Sequence, residues 1–121
     1  MLELRGIAAG YGGVPVLREI SLTVPKGSLT TLIGPNGCGK TTLLRAAAGQ
    51  LPLRRGAVTL DGKPLASYGR KELARTAAFM PQVRSVPAIT VEALVSHGRF
   101  PHLGFSRRMG EDDPQAVQRA M

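Results

Sequence analysis

Nine consecutive residues, Gly34-Pro35-Asn36-Gly37-Cys38-Gly39-Lys40-Thr41-Thr42, have the types and spacing needed to hold a polyphosphate. They match the phosphate-binding pattern G-x-x-x-x-G-K-[ST] in full. Glycine at 34, 37 and 39 lets the backbone turn where a Cβ would clash, so that successive N–H groups can converge on one anion. Lys40 brings a positive charge suited to the β and γ phosphates. The Thr41 hydroxyl suits the magnesium ion that accompanies a nucleotide. This stretch therefore predicts binding of a nucleoside triphosphate.

Such a loop must be held between a buried strand and a helix. Ser28 to Ile33 is short, β-branched and apolar at its end, so the pattern predicts a strand entering the loop. Thr41 to Ala48 is rich in helix formers, and Gly49 can stop the helix. The first turn of that helix would lie at the phosphates, where free N–H groups and the helix dipole favour negative charge. The bland alternative is that the glycines only make a tight turn. It leaves Lys40 and Thr41, at their fixed spacing, unexplained.

Elsewhere the pattern predicts a half-buried strand from Leu2, Leu4 and Ile7, a loop at Tyr11-Gly12-Gly13, and a strand over Val16 to Val24. A strand over Ala57 to Leu60 turned by Asp61-Gly62 reads as a hairpin. Ser67 to Thr76 reads as a surface helix, and Ala77 to Met80 as a buried strand that delivers Gln82 to a sheet edge where ligands bind. Val91 to Val95 reads as a helix capped by Thr90 and ended by Gly98. Asp113 as N-cap and Pro114 as first helical residue open a final helix. That helix is too short to stand without packing on something or continuing. By composition alone, a lone loop tyrosine such as Tyr11 more often packs than stacks on a base. His97 and His102 lack carboxylate or cysteine support nearby and read as ordinary loop histidines, not metal ligands.

Composition narrows the class further. The chain has 121 residues, 43% hydrophobic, enough for a globular core. No run approaches the ~20 apolar residues of a membrane span, and the first residues lack the form of a signal peptide, so a cytosolic location is expected. A single cysteine excludes an internal disulfide. The net charge of +8 suggests an anionic partner. However, the basic residues are scattered, and only two tyrosines and three phenylalanines are available to stack on bases, so no nucleic-acid partner is expected.

The order Tyr11, then Gly34 to Leu44, then Gly56 to Gly62, then Met80-Pro81-Gln82 resembles the ATP-binding subunits of ABC transporters. The resemblance implies an α/β fold: a P-loop NTPase core of RecA-like, ABC type, with an N-terminal antiparallel β subdomain and the start of a helical subdomain. Residues 1–84 would be the core, ending in the Q-loop, and residues 85–121 the beginning of the helical subdomain. It implies ATP and Mg2+ as cofactors and an ATPase activity. The phosphate-loop residues Gly34, Pro35, Asn36, Gly37, Cys38, Gly39, Lys40, Thr41 and Thr42 would bind the nucleotide. Tyr11 would stack on adenine, with Val16 beside the base and ribose. Lys40 and Gln82 would be the catalytic pair present, and Thr41 and Gln82 the magnesium ligands.

The loop Gly98-Arg99-Phe100-Pro101-His102 and the segment 113–120 narrow the resemblance to importers of iron-siderophore complexes, haem and vitamin B12. The implied partners are transmembrane permease subunits and a second nucleotide-binding subunit, a homodimer, peripheral on the inner face of the cell membrane. The family's Leu-Ser-Gly-Gly-Gln signature, its acidic strand end with catalytic Glu, and its switch histidine do not occur in the sequence. The chain thus reads as the N-terminal half of a subunit, with the hydrolytic step completed by residues outside it. The rival readings are another phosphate-loop enzyme, a small kinase or GTPase, and a basic nucleic-acid-binding module. A GTPase should offer an Asn-Lys-x-Asp guanine reader, and the sequence has none.

Overall fold

The computed structural model describes residues 1–82, 88–104, 109–110 and 112–121. They form two compact units, Met1–Tyr68 and Gly69–Met121. The boundary expected between residues 84 and 85 lies outside the described residues.

In the first unit, β1 (Leu2–Tyr11), β2 (Val14–Val24), β3 (Arg55–Leu60) and β4 (Lys63–Pro64) make an antiparallel sheet of order β2-β1-β3-β4. The sheet expected from alternation forms, with one departure from strict alternation. Leu4, Ile7 and Ala9 are all buried although an odd step separates the first two. The ladder with β2 shifts register between Leu4 and Ile7, and Gly6 sits there at φ 53°. The extra residue restores the parity, so both halves of β1 face the core. β3 bends with it: Gly56, at φ 78°, lies so close that a Cβ would meet the Arg5 carbonyl oxygen at 2.4 Å. Asp61 and Gly62, with φ of 49° and 79°, close the β3–β4 hairpin in the doubly positive turn that the Asp-Gly pair favours. The helix α1 (Lys40–Ala47) lays Ala46 into the cluster of Leu4, Ile7, Ala9, Leu17, Leu51 and Val58. It ends in a two-bond glycine motif: Gly49 N–H donates to Ala46 C=O and Gln50 N–H to Arg45 C=O, with Gly49 at φ 71°.

Two expected strands do not form. Residues 28–33 carry no strand pairing, and Leu29 and Ile33 are 95% and 92% exposed. Residues 77–80 are likewise outside any strand. A strand exists only with a neighbour to take its N–H and C=O groups, and among the described residues none runs beside either segment. Tyr11, expected in a loop, is instead the last residue of β1, paired with Val14 across the Gly12–Gly13 turn.

The second unit holds α2 (Arg70–Thr76), α3 (Val91–His97) and α4 (Asp113–Ala120). The Thr90 hydroxyl accepts from Ala93 N–H, the expected cap of α3. Cations of α2 tie down the turn at Phe100–His102: Lys71 Nζ donates to Leu103 C=O at 2.5 Å and Arg75 Nε to Pro101 C=O at 2.7 Å. His97 stacks on Phe100 at 5.0 Å between centroids. Asp113, expected to cap α4, begins the helix, with Asp112 at the cap position. Its buried carboxylate accepts from Gly110 N–H and from Arg99 Nε, both at 2.6 Å.

Two outcomes follow from this packing. Gly56→Ala puts a side chain into backbone at a positive φ and should cost roughly 2–5 kcal/mol in urea unfolding. An unchanged midpoint would mean that β3 does not approach β1 as described. For Asp113, the Gly110 N–H first and the Arg99 guanidinium second hold the carboxyl below its ordinary value. A depressed folded-state pKa stabilises the protein above the unfolded value, ~3.9, and the gain is lost as pH falls through the folded value. Asp113→Asn should therefore lower Tm at neutral pH, with the gap to the parent closing on the acid side of ~3.9. A gap that is constant with pH would show that the charge of Asp113 is not what stabilises the unit.

Candidate functional site

The first helical bond of α1 runs from Leu43 N–H to Gly39 C=O at 2.8 Å. The N–H groups of Lys40, Thr41 and Thr42 therefore have no intrahelical acceptor, and no side chain caps this end. An anion is the natural partner for such a terminus. Gly39 makes the junction possible. It adopts φ 98°, and a Cβ there would stand 3.3 Å from Leu17 Cδ2 and 3.4 Å from Val16 Cγ1. Loop and helix are thus pressed onto β2 at a residue whose left-handed backbone favours glycine.

Lys40 turns its ammonium into the loop. Its Nζ donates to Gly34 C=O at 2.6 Å and to Pro35 C=O at 2.7 Å, and Cys38 Sγ lies at 3.7 Å. Gly34 packs so tightly on the Cys38 thiol that a Cβ would approach its sulfur to 2.9 Å. Pro35, Asn36, Gly37 and Cys38 are exposed around this cation. Thr41 is exposed on the first turn of α1, while Thr42 is buried.

Tyr11 reaches the same helix from β1. Its hydroxyl accepts from the Arg45 guanidinium at 3.2 Å, and its ring stays 45% exposed. The Arg45 hydrogen bond chiefly draws the phenol pKa below its ordinary value; burial opposes it, and Thr42 adds a lesser lowering. Arg54 donates to Gly13 C=O at 2.7 Å and fixes the turn just beyond Tyr11.

The structure thus brings together Tyr11, Val16 and the residues from Gly34 to Thr42 within the first unit. Gln82 belongs to the second unit, where it is exposed and outside any strand or helix. Sequence reasoning missed Arg45, Arg54 and Leu17. The signal for Arg45 was its place three residues after Thr42, which sets both on one helix face. Among the described residues, no group of three or more His, Cys, Asp or Glu side chains could hold a metal ion, and no helix is long and apolar enough to cross a membrane.

The family model for the ABC transporter matches residues 17–120. The chain belongs to this family. It is 41% identical over 116 residues to the probable siderophore transport system ATP-binding protein YusV of Bacillus subtilis (strain 168), covering 95% of this chain and 42% of that protein. It is 40% identical over 122 residues to the ferric enterobactin transport ATP-binding protein FepC of Escherichia coli (strain K12), covering 98% of this chain and 45% of the relative. Among solved structures, the ATP-binding subunit of an ABC transporter superposes with a TM-score of 0.74 at 29% identity, covering 88% of this chain and 45% of the other. The chain thus spans about half the length of the curated relatives it matches. The α/β fold expected of an ABC ATPase domain agrees with these structural neighbours and with the antiparallel sheet that carries α1.

Cys38 offers a direct probe of the loop, being exposed and the only cysteine of the chain. A maleimide should label it, and magnesium-ATP should slow the labelling several-fold by occupying the space around Lys40. Identical rates with and without nucleotide would mean that no polyphosphate enters the loop.

Proposed function

We infer that the chain binds ATP with magnesium and that the protein it represents hydrolyses ATP to drive an ABC importer of iron-siderophore, haem or cobalamin type. The observation that carries this reading is the junction at Gly39, where a cation and an uncapped helix end share one loop. The siderophore and enterobactin transport names of the relatives support the importer class. The division of labour follows from chemistry. Backbone N–H groups from Gly37 to Thr42 would take the phosphate oxygens, and the Lys40 ammonium would exchange its two carbonyls for charged oxygens, a stronger acceptor set. Tyr11 would lend its exposed ring face to adenine, with Val16 beside the base and ribose.

Thr41, exposed on the first turn of α1, has a hydroxyl oxygen of the kind magnesium takes alongside phosphate, and by the family resemblance the Gln82 amide would be a second ligand. When bound, the ion would neutralise charge on the phosphate oxygens. Lys40 supplies the chain's own share of that electrostatic work, and Gln82 would order the attacking water. Partners in this reading are permease subunits and a second copy of the nucleotide-binding subunit, on the inner face of the membrane. Residues 1–84 would form the core part and 85–121 the start of the helical subdomain. A nucleic-acid module is not favoured, because the family match and the relatives' names point to an ATP-binding transport subunit.

The test is Lys40→Ala. Losing charge-assisted hydrogen bonds worth about 1.5–3 kcal/mol should weaken magnesium-ATP binding by about 10- to 150-fold, with the far-UV circular dichroism unchanged. Full affinity in the variant would remove the assignment.

A further inference from the structure

The phosphate loop and the ring of Tyr11 lie on different elements, and something must fix the distance between them. The backbone of Tyr11 is held by its pairing with Val14 and by Arg54, which donates to Gly13 C=O at 2.7 Å. The residue is 45% exposed, so packing alone does not enclose its side chain. Its hydroxyl accepts from the Arg45 guanidinium at 3.2 Å, with the Thr42 side chain as a weaker hydrogen-bond partner. The backbone of Arg45 is fixed in α1, where its carbonyl accepts from Gln50 N–H at 2.8 Å in the motif that ends the helix. α1 is the helix whose first turn carries Lys40 and Thr41.

We propose that Arg45 is a positioning residue for the nucleotide base, tying the Tyr11 phenol to the phosphate-loop helix so that ring and loop present a fixed span to one ligand. The proposal rests on the reading of Tyr11 as the base platform. Arg45 touches neither base nor phosphate in this role. It removes in advance the ordering cost that a free aromatic side chain would impose on binding, an effect of about two- to tenfold in affinity.

The experiment is calorimetric titration of the full chain with magnesium-ATP and, separately, with inorganic triphosphate. Arg45→Met should weaken ATP about two- to tenfold and leave triphosphate unchanged. Tyr11→Phe, which keeps the ring and loses the hydroxyl, should reproduce that loss. In a Tyr11→Ala background, Arg45→Met should cost nothing further. A spectroscopic readout accompanies these: with Tyr68→Phe leaving Tyr11 as the only tyrosine, Arg45→Met should move phenolate absorbance to higher pH. Equal losses for ATP and triphosphate would overturn the proposal, as would a loss that persists without the Tyr11 ring. If Tyr11→Ala itself binds ATP like the parent, the platform reading fails. If Tyr11→Ala is weakened and Arg45→Met is not, only the proposal about Arg45 fails.

Discussion

The left-handed backbone at Gly39, pressed against Val16 and Leu17, is the constraint on which the rest of the first unit depends. With side-chain atoms of β2 at 3.3 and 3.4 Å from the position of a Cβ and φ at 98°, a larger residue would be both crowded and strained. It closes the loop, starts α1 and sets both on the sheet. Everything the loop does is therefore referenced to β2, and through the β1–β2 ladder to Tyr11. An uncapped helix end costs little while water solvates it, and this one faces outward from a helix whose other side buries Ala46.

Several of the cations share one device. Lys40, Arg54, Lys71 and Arg75 each donate to backbone carbonyls, and Arg99 pairs with a buried carboxylate. Irregular loops leave carbonyl oxygens without ladder partners, and long cationic side chains reach them across the surface. Part of the chain's positive charge therefore also serves as internal fastening.

How far the sequence revealed all this depended on how local each signal was. The hairpins, α1 and α3 with its Thr90 cap were legible because turn pairs, capping residues and apolar period act over a few positions. The phosphate loop was legible because its chemistry demands fixed spacing. The segments 28–33 and 77–80 have strand composition yet no strand, because pairing belongs to the neighbour and composition does not supply one. Arg45 with Tyr11, and Arg99 with Asp113, join residues 34 and 14 positions apart, and no local pattern announces such pairs. The bulge at Gly6 was hidden for a different reason: it preserves the burial that alternation predicts while breaking its count.

The order of the sheet has a mechanical consequence. β1 pairs with β2 on one edge and with β3 on the other, so the chain between β2 and β3, which carries the whole phosphate loop and α1, is a closed ring pinned at β1. A pull at the start of β1 loads both of its ladders, Leu2 being opposite Val24 in β2 and opposite Leu60 in β3, whereas a pull at the far end of the unit reaches β3 through its pairing with β4. The frame of the phosphate loop is therefore the pair of ladders on β1, and opening either one opens the ring.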